Sequence, residues 1–327
     1  MAETPLADLT YRGYDGELSS PHSRWMVIML HTLRGVAKKK SYWVLTVISS
    51  LYYFLFMAIA YFVQNTLNTM EANGMPQGGR RGGGNDFISS FFDRVVWADQ
   101  FLTGFSFGHL MLMAIVLLVG AGVIANDNRT NALLVYLSKP CRKIDYVFGK
   151  WMGVFIPICA AMLIPAIVFY MYGVMNYREH GFLADDPWLG PKLLIVISLA
   201  AAFQTSLIVG ISSMFNQGRI AGAVYAGFYV LSGVFAGIAG IVQEGGDVPK
   251  SVMTMLDRVH YMSIYGGIEG LYKVILQTDG SGVPLADSDQ TIFDRPPLVM
   301  LIGLVVIPAL ICMFVAWRRV RAVEVVS

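Results

Sequence analysis

The sequence predicts an all-α integral membrane protein with six transmembrane helices, and three observations carry that prediction. Only 14% of the residues are charged and 55% are hydrophobic, whereas about 25% charge is usual in soluble domains. A water-facing surface for a chain of this size would lack charge. Six apolar runs reach the ~20 residues that a helix needs to cross a hydrocarbon core at about 1.5 Å per residue. Lys and Arg concentrate in alternate connections, the pattern that sets orientation in a bilayer. Around the spans the sequence adds an N-terminal amphipathic interface helix, a short cytoplasmic helix and short outer helices at the interface.

The elements follow in order. Residues 1–23 form a tail, and the first forty residues hold no apolar core followed by a small-residue cleavage site, so the first span is expected to act as its own targeting signal. Residues 24–40 place Met26, Met29, Leu30, Leu33 and Val36 on one helical face and end in Lys38, Lys39 and Lys40, which predicts an amphipathic helix on the membrane surface. The spans are expected at Ser41–Val63, Phe105–Ala125, Trp151–Tyr172, Leu193–Phe215, Ile220–Val242 and Leu298–Trp317. Each must satisfy its own backbone hydrogen bonds in lipid, which only a helix does within one segment. The spanning region is thus 41–317, and 318–327 form the C-terminal tail.

With the N-terminus in the cytoplasm, fifteen of the 24 Lys and Arg fall on the inner side and nine on the outer. Both termini are therefore expected to be cytoplasmic. The outer loop 64–104 contains the Gly-rich run Gly74–Gly84, read as a flexible loop. In the outer segment 243–297, Ser251–Leu276 is apolar but interrupted by Asp257, Arg258, His260, Gly266, Gly267, Glu269 and Lys273. That stretch is too polar to span, and its helical spacing predicts one or two short helices, interfacial or re-entrant.

Several chemistries are excluded. Gly149-Lys150 is followed by Trp151 and lacks the upstream glycine of a phosphate-binding loop, and HExxH does not occur; Gly104-Phe105-Ser106-Phe107-Gly108 has the GxSxG spacing but opens an apolar spanning run and not a strand-to-helix turn, so neither nucleotide hydrolysis nor a familiar hydrolase is expected. Cys141, Cys159 and Cys312 lie far apart without a CxxC pair, which suggests neither a disulfide framework nor a metal site. No cofactor or metal is expected in this chain. A net charge of +2 calls for no nucleic acid. Ion-coupled carriers place ionisable groups at membrane depth, but the spans offer only His109, near the outer end of the second, and the neutral Gln204 in the fourth. The energy source is therefore expected outside the chain.

Two further features stand out in the spans. The fifth carries Gly222, Gly233 and Gly237 interleaved with Tyr225 and Tyr229. Small residues four apart permit close helix contact, and the same face could instead line a path. Pro157 and Pro165 in the third span free backbone carbonyls and are expected to bend it.

The cytoplasmic connection 126–150 is the most informative segment. Leu133, Leu134 and Leu137 make a short apolar ridge, Asp127 stands where a helix N-terminus favours an acid, and Pro140 closes the segment. Together with Arg129, Ser138-Lys139-Pro140, Arg142, Tyr146 and Gly149-Lys150, the segment resembles the signature region of type-2 ABC exporter permeases. The order of the surrounding elements resembles that family over nearly the whole chain. Asn131-Ala132 departs from the Gly-Thr that relatives often have there, and the Gly-rich outer loop is longer than the family implies.

The resemblance implies a coupling helix that docks on a soluble ABC ATPase through Asp127, Arg129, Leu133, Leu134, Leu137, Pro140 and Arg142. ATP and Mg would be held by that partner. It also implies a second permease copy or a sister permease in the bilayer of the bacterial inner membrane, with the second and fifth spans lining the path. His109, Gly222, Tyr225, Tyr229, Gly233 and Gly237 are the candidates for that path or for the dimer interface. A non-transport membrane scaffold or sensor is the alternative, and a neighbouring gene for a soluble ATPase would separate the two.

Overall fold

The computed structural model describes residues 24–73, 91–92, 94–132, 142–178, 181–183, 186–244, 249–280 and 293–320. The Gly-rich run and residues 133–141, with the leucine ridge and Pro140, lie outside them. Eleven helices account for the described elements: α1 Arg24–Ala37, α2 Lys40–Ser49, α3 Leu51–Ala72, α4 Trp97–Gly120, α5 Ala125–Arg129, α6 Lys143–Asn176, α7 Leu189–Met214, α8 Gly218–Glu244, α9 Lys250–Tyr261, α10 Ile264–Leu276 and α11 Leu298–Arg319. Among the described residues five helices are long and apolar enough to cross a membrane, or six where the bent pair α2–α3 counts as one span. The chain is a multi-pass integral membrane protein.

The first span is not the straight Ser41–Val63 helix that hydropathy suggests. It breaks by 43° between α2 and α3 and continues to Ala72. At the break the hydroxyls of Ser49 and Ser50 donate back to the carbonyls of Thr46 and Val47 at 2.9 and 2.8 Å. Such back-bonding by adjacent serines competes with the helical ladder and bends it. Gly108 of α4 lies directly against the Ser49 carbonyl.

The buried share of the apolar window separates a central helix from peripheral ones: 67% in α7, against 22% in α8 and 11% in α11. α7 is therefore the axis of the bundle, and α8 and α11 offer apolar faces to lipid or to another chain. α6 packs along α7, and Trp151 Nε1 donates to Ser206 Oγ at 3.0 Å across that contact.

One end of the bundle, here called the basic end, gathers α1, α5, the start of α6 and the last turn of α11 with Arg318 and Arg319. There α1 lies on α6, with Ile28 and Val36 buried and Met26, Val27 and Leu30 left exposed. Gly149 and Gly153, four apart on α6, make the seam. A Cβ at Gly149 would lie 2.6 Å from the Trp25 carbonyl oxygen, whereas one at Gly35 on α1 would meet nothing within 4 Å. A backbone oxygen cannot rotate away, so Gly149→Ala should lift α1 and lower stability by about 1–3 kcal/mol. Gly35→Ala should leave stability unchanged or raise it by up to about 1 kcal/mol through helix propensity. Thermal unfolding of the two purified variants in one detergent checks the contrast, and equal effects would mean that the seam is not tight.

At the opposite, far end, α9 and α10 form a hairpin that turns inside the bundle. Ile264 N donates to Ser232 Oγ of α8 at 3.3 Å, and Tyr265 donates to Ser106 Oγ of α4 at 3.0 Å. From that depth α10 returns outward until Gly280 N donates to Asp99 Oδ1 at 3.2 Å. The turn is self-satisfied, since Ser263 Oγ accepts from Gly266 N at 2.8 Å and donates to the His260 carbonyl at 2.9 Å. Phe105 is stacked between Tyr265 and Tyr272, with centroids 5.8 and 5.1 Å away. α9 and α10 thus turn back within the bundle and neither crosses it.

Candidate functional site

At the basic end, α4 stops at Gly120, turns through residues 121–124 and resumes as the short helix α5. Ser212 near the end of α7 holds that break. Its hydroxyl accepts from Ile124 N and Ala125 N at 3.2 and 3.1 Å and donates to the Ala121 carbonyl at 2.9 Å. Asn128 Nδ2 adds bonds to the carbonyls of Ser213 and Phe215 at 3.4 and 3.2 Å. Orphaned backbone groups at a helix break need such partners, and here Ser212 of α7 supplies them for Ala121, Ile124 and Ala125.

Asp127 ties the same short helix to α6. Its Oδ2 accepts from Tyr146 Oη at 2.7 Å and pairs with Lys150 Nζ at 2.7 Å. α5 is thus clamped between the ends of two spans. Arg129 is exposed on the following turn, and Asn131 adopts φ 52°, the left-handed geometry that Asn tolerates. Beyond the undescribed stretch, Arg142 stands as N-cap of α6, its N–H donating to Asp145 Oδ2 at 3.2 Å. Of the residues expected to contact an ATPase, Asp127 and Arg142 therefore have structural partners inside the chain, and Arg129 is exposed at the edge of a cleft.

The residues expected on the path divide between two clefts. Gly222 lines a cleft of about 1060 Å³ at the basic end, where a Cβ on it would sit 3.3 Å from that of Ala121. His109, Tyr229, Gly233 and Gly237 line a second cleft of about 490 Å³ in the far half, with His260, Tyr265 and Phe293. Tyr225 is fully buried on α8, one turn from Tyr229. Gly233 and Gly237 meet no atom of the described residues within 4 Å of a Cβ built on them, so among those residues their small size serves an open face and not a contact. His109 is not near an end of its helix. α4 begins at Trp97, which puts His109 roughly 18 Å along it, and its ring lies 4.6 Å from Tyr265 and 6.3 Å from Tyr229.

Behind the far cleft lies a group of charges that the sequence reading used only as evidence against a span. Glu269 Oε2 meets His260 Nε2 at 2.8 Å and its Oε1 meets Lys273 Nζ at 2.9 Å, with the Glu269 and Lys273 side chains only 10% and 3% exposed. Lys273 also donates to the Phe293 carbonyl at 3.0 Å, and the His260 ring stacks on Phe293 at 3.8 Å. Burial alone would raise the Glu269 carboxyl. The hydrogen bond from His260 and the charges of Lys273 and His260 outweigh it and hold the group below the usual carboxylate range. The signal for this cluster was present as Glu and Lys four apart in an otherwise apolar helix.

Among the described residues no group of three or more His, Cys, Asp or Glu is placed to hold a metal ion. The arrangement is one of clefts, clamps and a buried ionic latch, suited to binding and to transmitting movement. The sequence profile of a family described as ABC-2 family transporter protein matches residues 26–320. No curated protein matches the chain.

Proposed function

The chain belongs to the ABC-2 family of transporter proteins, and from that premise we propose that it is the permease subunit of an ATP-driven exporter, working with a soluble ABC ATPase that holds ATP and Mg. The observation that carries this reading is the double clamp on α5. Ser212 and Asn128 bind it to α7, and Asp127 binds it to Tyr146 and Lys150 of α6. A push on the segment 126–142 is then delivered to three spans at once, which is what a helix that relays ATPase closure has to do.

In this reading the basic end faces the cytoplasm, both termini lie there, and the membrane is the bacterial inner membrane. The open face of α4 and α8, with its two clefts, meets a second copy or a sister permease. Gly233 and Gly237 allow that close approach, and the far cleft with His109 and Tyr229 becomes part of the path between the two subunits. Switching between inward and outward access follows from tilting α4 and α6 about the central α7.

The test is to purify the full chain alone and together with the ABC ATPase encoded beside its gene, and to reconstitute both into proteoliposomes. The chain alone should hydrolyse no ATP above background, and the complex should hydrolyse it. Turnover by the isolated chain, or failure of the ATPase to bind it, would remove the reading in favour of a scaffold or sensor.

A further inference from the structure

The cleft at the basic end is walled by α1, the break after α4, α5, α6 and the start of α8. Its rim brings together Lys39, Arg129, Lys150 and Arg219 against one carboxylate, Asp127. That carboxylate is already paired with Lys150 at 2.7 Å. Lys39 donates to the Leu118 carbonyl at 2.9 Å, which holds the ammonium in place without neutralising it. Arg129 and Arg219 are exposed and neither is among the ion pairs formed by the described residues. Three cations therefore converge on one concave surface with no charge among the described residues paired to them, and such a surface concentrates anions.

Below this rim the wall changes character. Arg219 and Ala226 both line the cleft, and their separation of seven positions takes it about 10 Å along α8 into the apolar band. There Leu117, Ala223 and Ala226 face the cavity. A ligand that satisfies both levels has an anion at one end and a hydrocarbon at the other.

We infer that this cleft binds an anionic phospholipid, with its phosphate between Arg129 and Arg219 and its acyl chain against Leu117, Ala223 and Ala226. Arginine suits phosphate through paired N–H donors, and basic recesses between membrane helices take acidic head groups. A soluble phosphate compound shares the head chemistry but would leave the apolar wall facing water. The inference goes beyond the transport reading and does not depend on it, because the site is complete in this chain without an ATPase.

Native mass spectrometry of the full chain, delipidated in a neutral detergent and titrated with phosphatidylglycerol or phosphatidylcholine, tests it. Phosphatidylglycerol should occupy one saturable site in preference to phosphatidylcholine. Arg219→Gln should weaken it roughly fivefold, and Arg129→Gln with Arg219→Gln on the order of 25-fold. Arg34→Gln with Lys38→Gln removes two charges from the same end outside the cleft and should change affinity less than about twofold. Ala223→Phe fills the apolar level and leaves the cations, so it should weaken the lipid while sparing any competition by glycerol 3-phosphate. Equal losses in the two double variants would reduce the effect to general surface charge and overturn the site. Retention of phosphatidylglycerol by Ala223→Phe, with glycerol 3-phosphate competing as well as the lipid, would make it a site for soluble phosphate and overturn the lipid assignment.

Discussion

Replacing Glu269 by alanine is expected to cost about 3–5 kcal/mol, the loss typical of a buried ion pair deprived of one partner. Lys273, 3% exposed, would keep the Phe293 carbonyl and the Tyr261 ring but no countercharge among the described residues, and His260 would lose the acceptor at its Nε2. Both lie on the hairpin that turns inside the bundle, so the loss falls on α9 and α10 and not on the outer spans. The combined change Glu269→Leu with Lys273→Met removes both charges and restores apolar volume, and should recover most of the loss, since well-packed apolar replacements of buried pairs are often neutral. Thermal unfolding of the purified variants in one detergent reads the comparison. Equal destabilisation by the single and double changes would show that the two side chains act separately.

The same cluster sets an acid limit. The Glu269 carboxyl is held below its usual 4.5 in the folded chain, so its contribution is in place above that value and is lost as pH falls through the folded value. Wild-type stability should therefore decline on acidification below about 4.5 with a component that the Glu269→Leu, Lys273→Met chain lacks.

How much of this architecture the sequence discloses depends on whether the signal is local. Spans α7, α8 and α11 fall within a few residues of their expected bounds, because an uninterrupted apolar run is a property of the run itself. The second span starts at Trp97, eight residues before the expected Phe105, and takes in the polar Asp99 and Gln100. Both are buried because Gly280 N and Tyr52 Oη reach them from elsewhere in the chain, and no window of sequence shows those partners. The break at Ser50 was legible in principle, as two adjacent serines in an apolar run, and so was the Gly149 and Gly153 seam under α1. What the sequence could not show is that His260, Glu269 and Lys273 lie inside the bundle. Hydropathy reads Glu269 and Lys273 as a reason to stay at the surface, whereas each supplies the countercharge that lets the other be buried.

Among the candidate docking residues, the ridge of Leu133, Leu134 and Leu137 lies between two anchored points. Asp127 and Asn128 fix the chain before it, and the bond from Arg142 N to Asp145 fixes it after. If the ridge enters a groove on the ATPase, each leucine contributes about 1.5–3 kcal/mol on burial. Leu133→Asp with Leu137→Asp should then weaken the complex by on the order of 10²- to 10⁴-fold and abolish transport-coupled ATP hydrolysis. Membrane insertion and the melting of the isolated chain should not change, because the ridge is outside every span and the α5 clamps do not involve it. Co-purification with the ATPase, followed by hydrolysis and transport assays on the reconstituted complex, gives both readouts. A variant that binds the ATPase and couples normally would place the leucines against the permease itself, and one that melts early would assign them to its core. Loss of coupling on an unchanged fold is the result that separates a docking ridge from both.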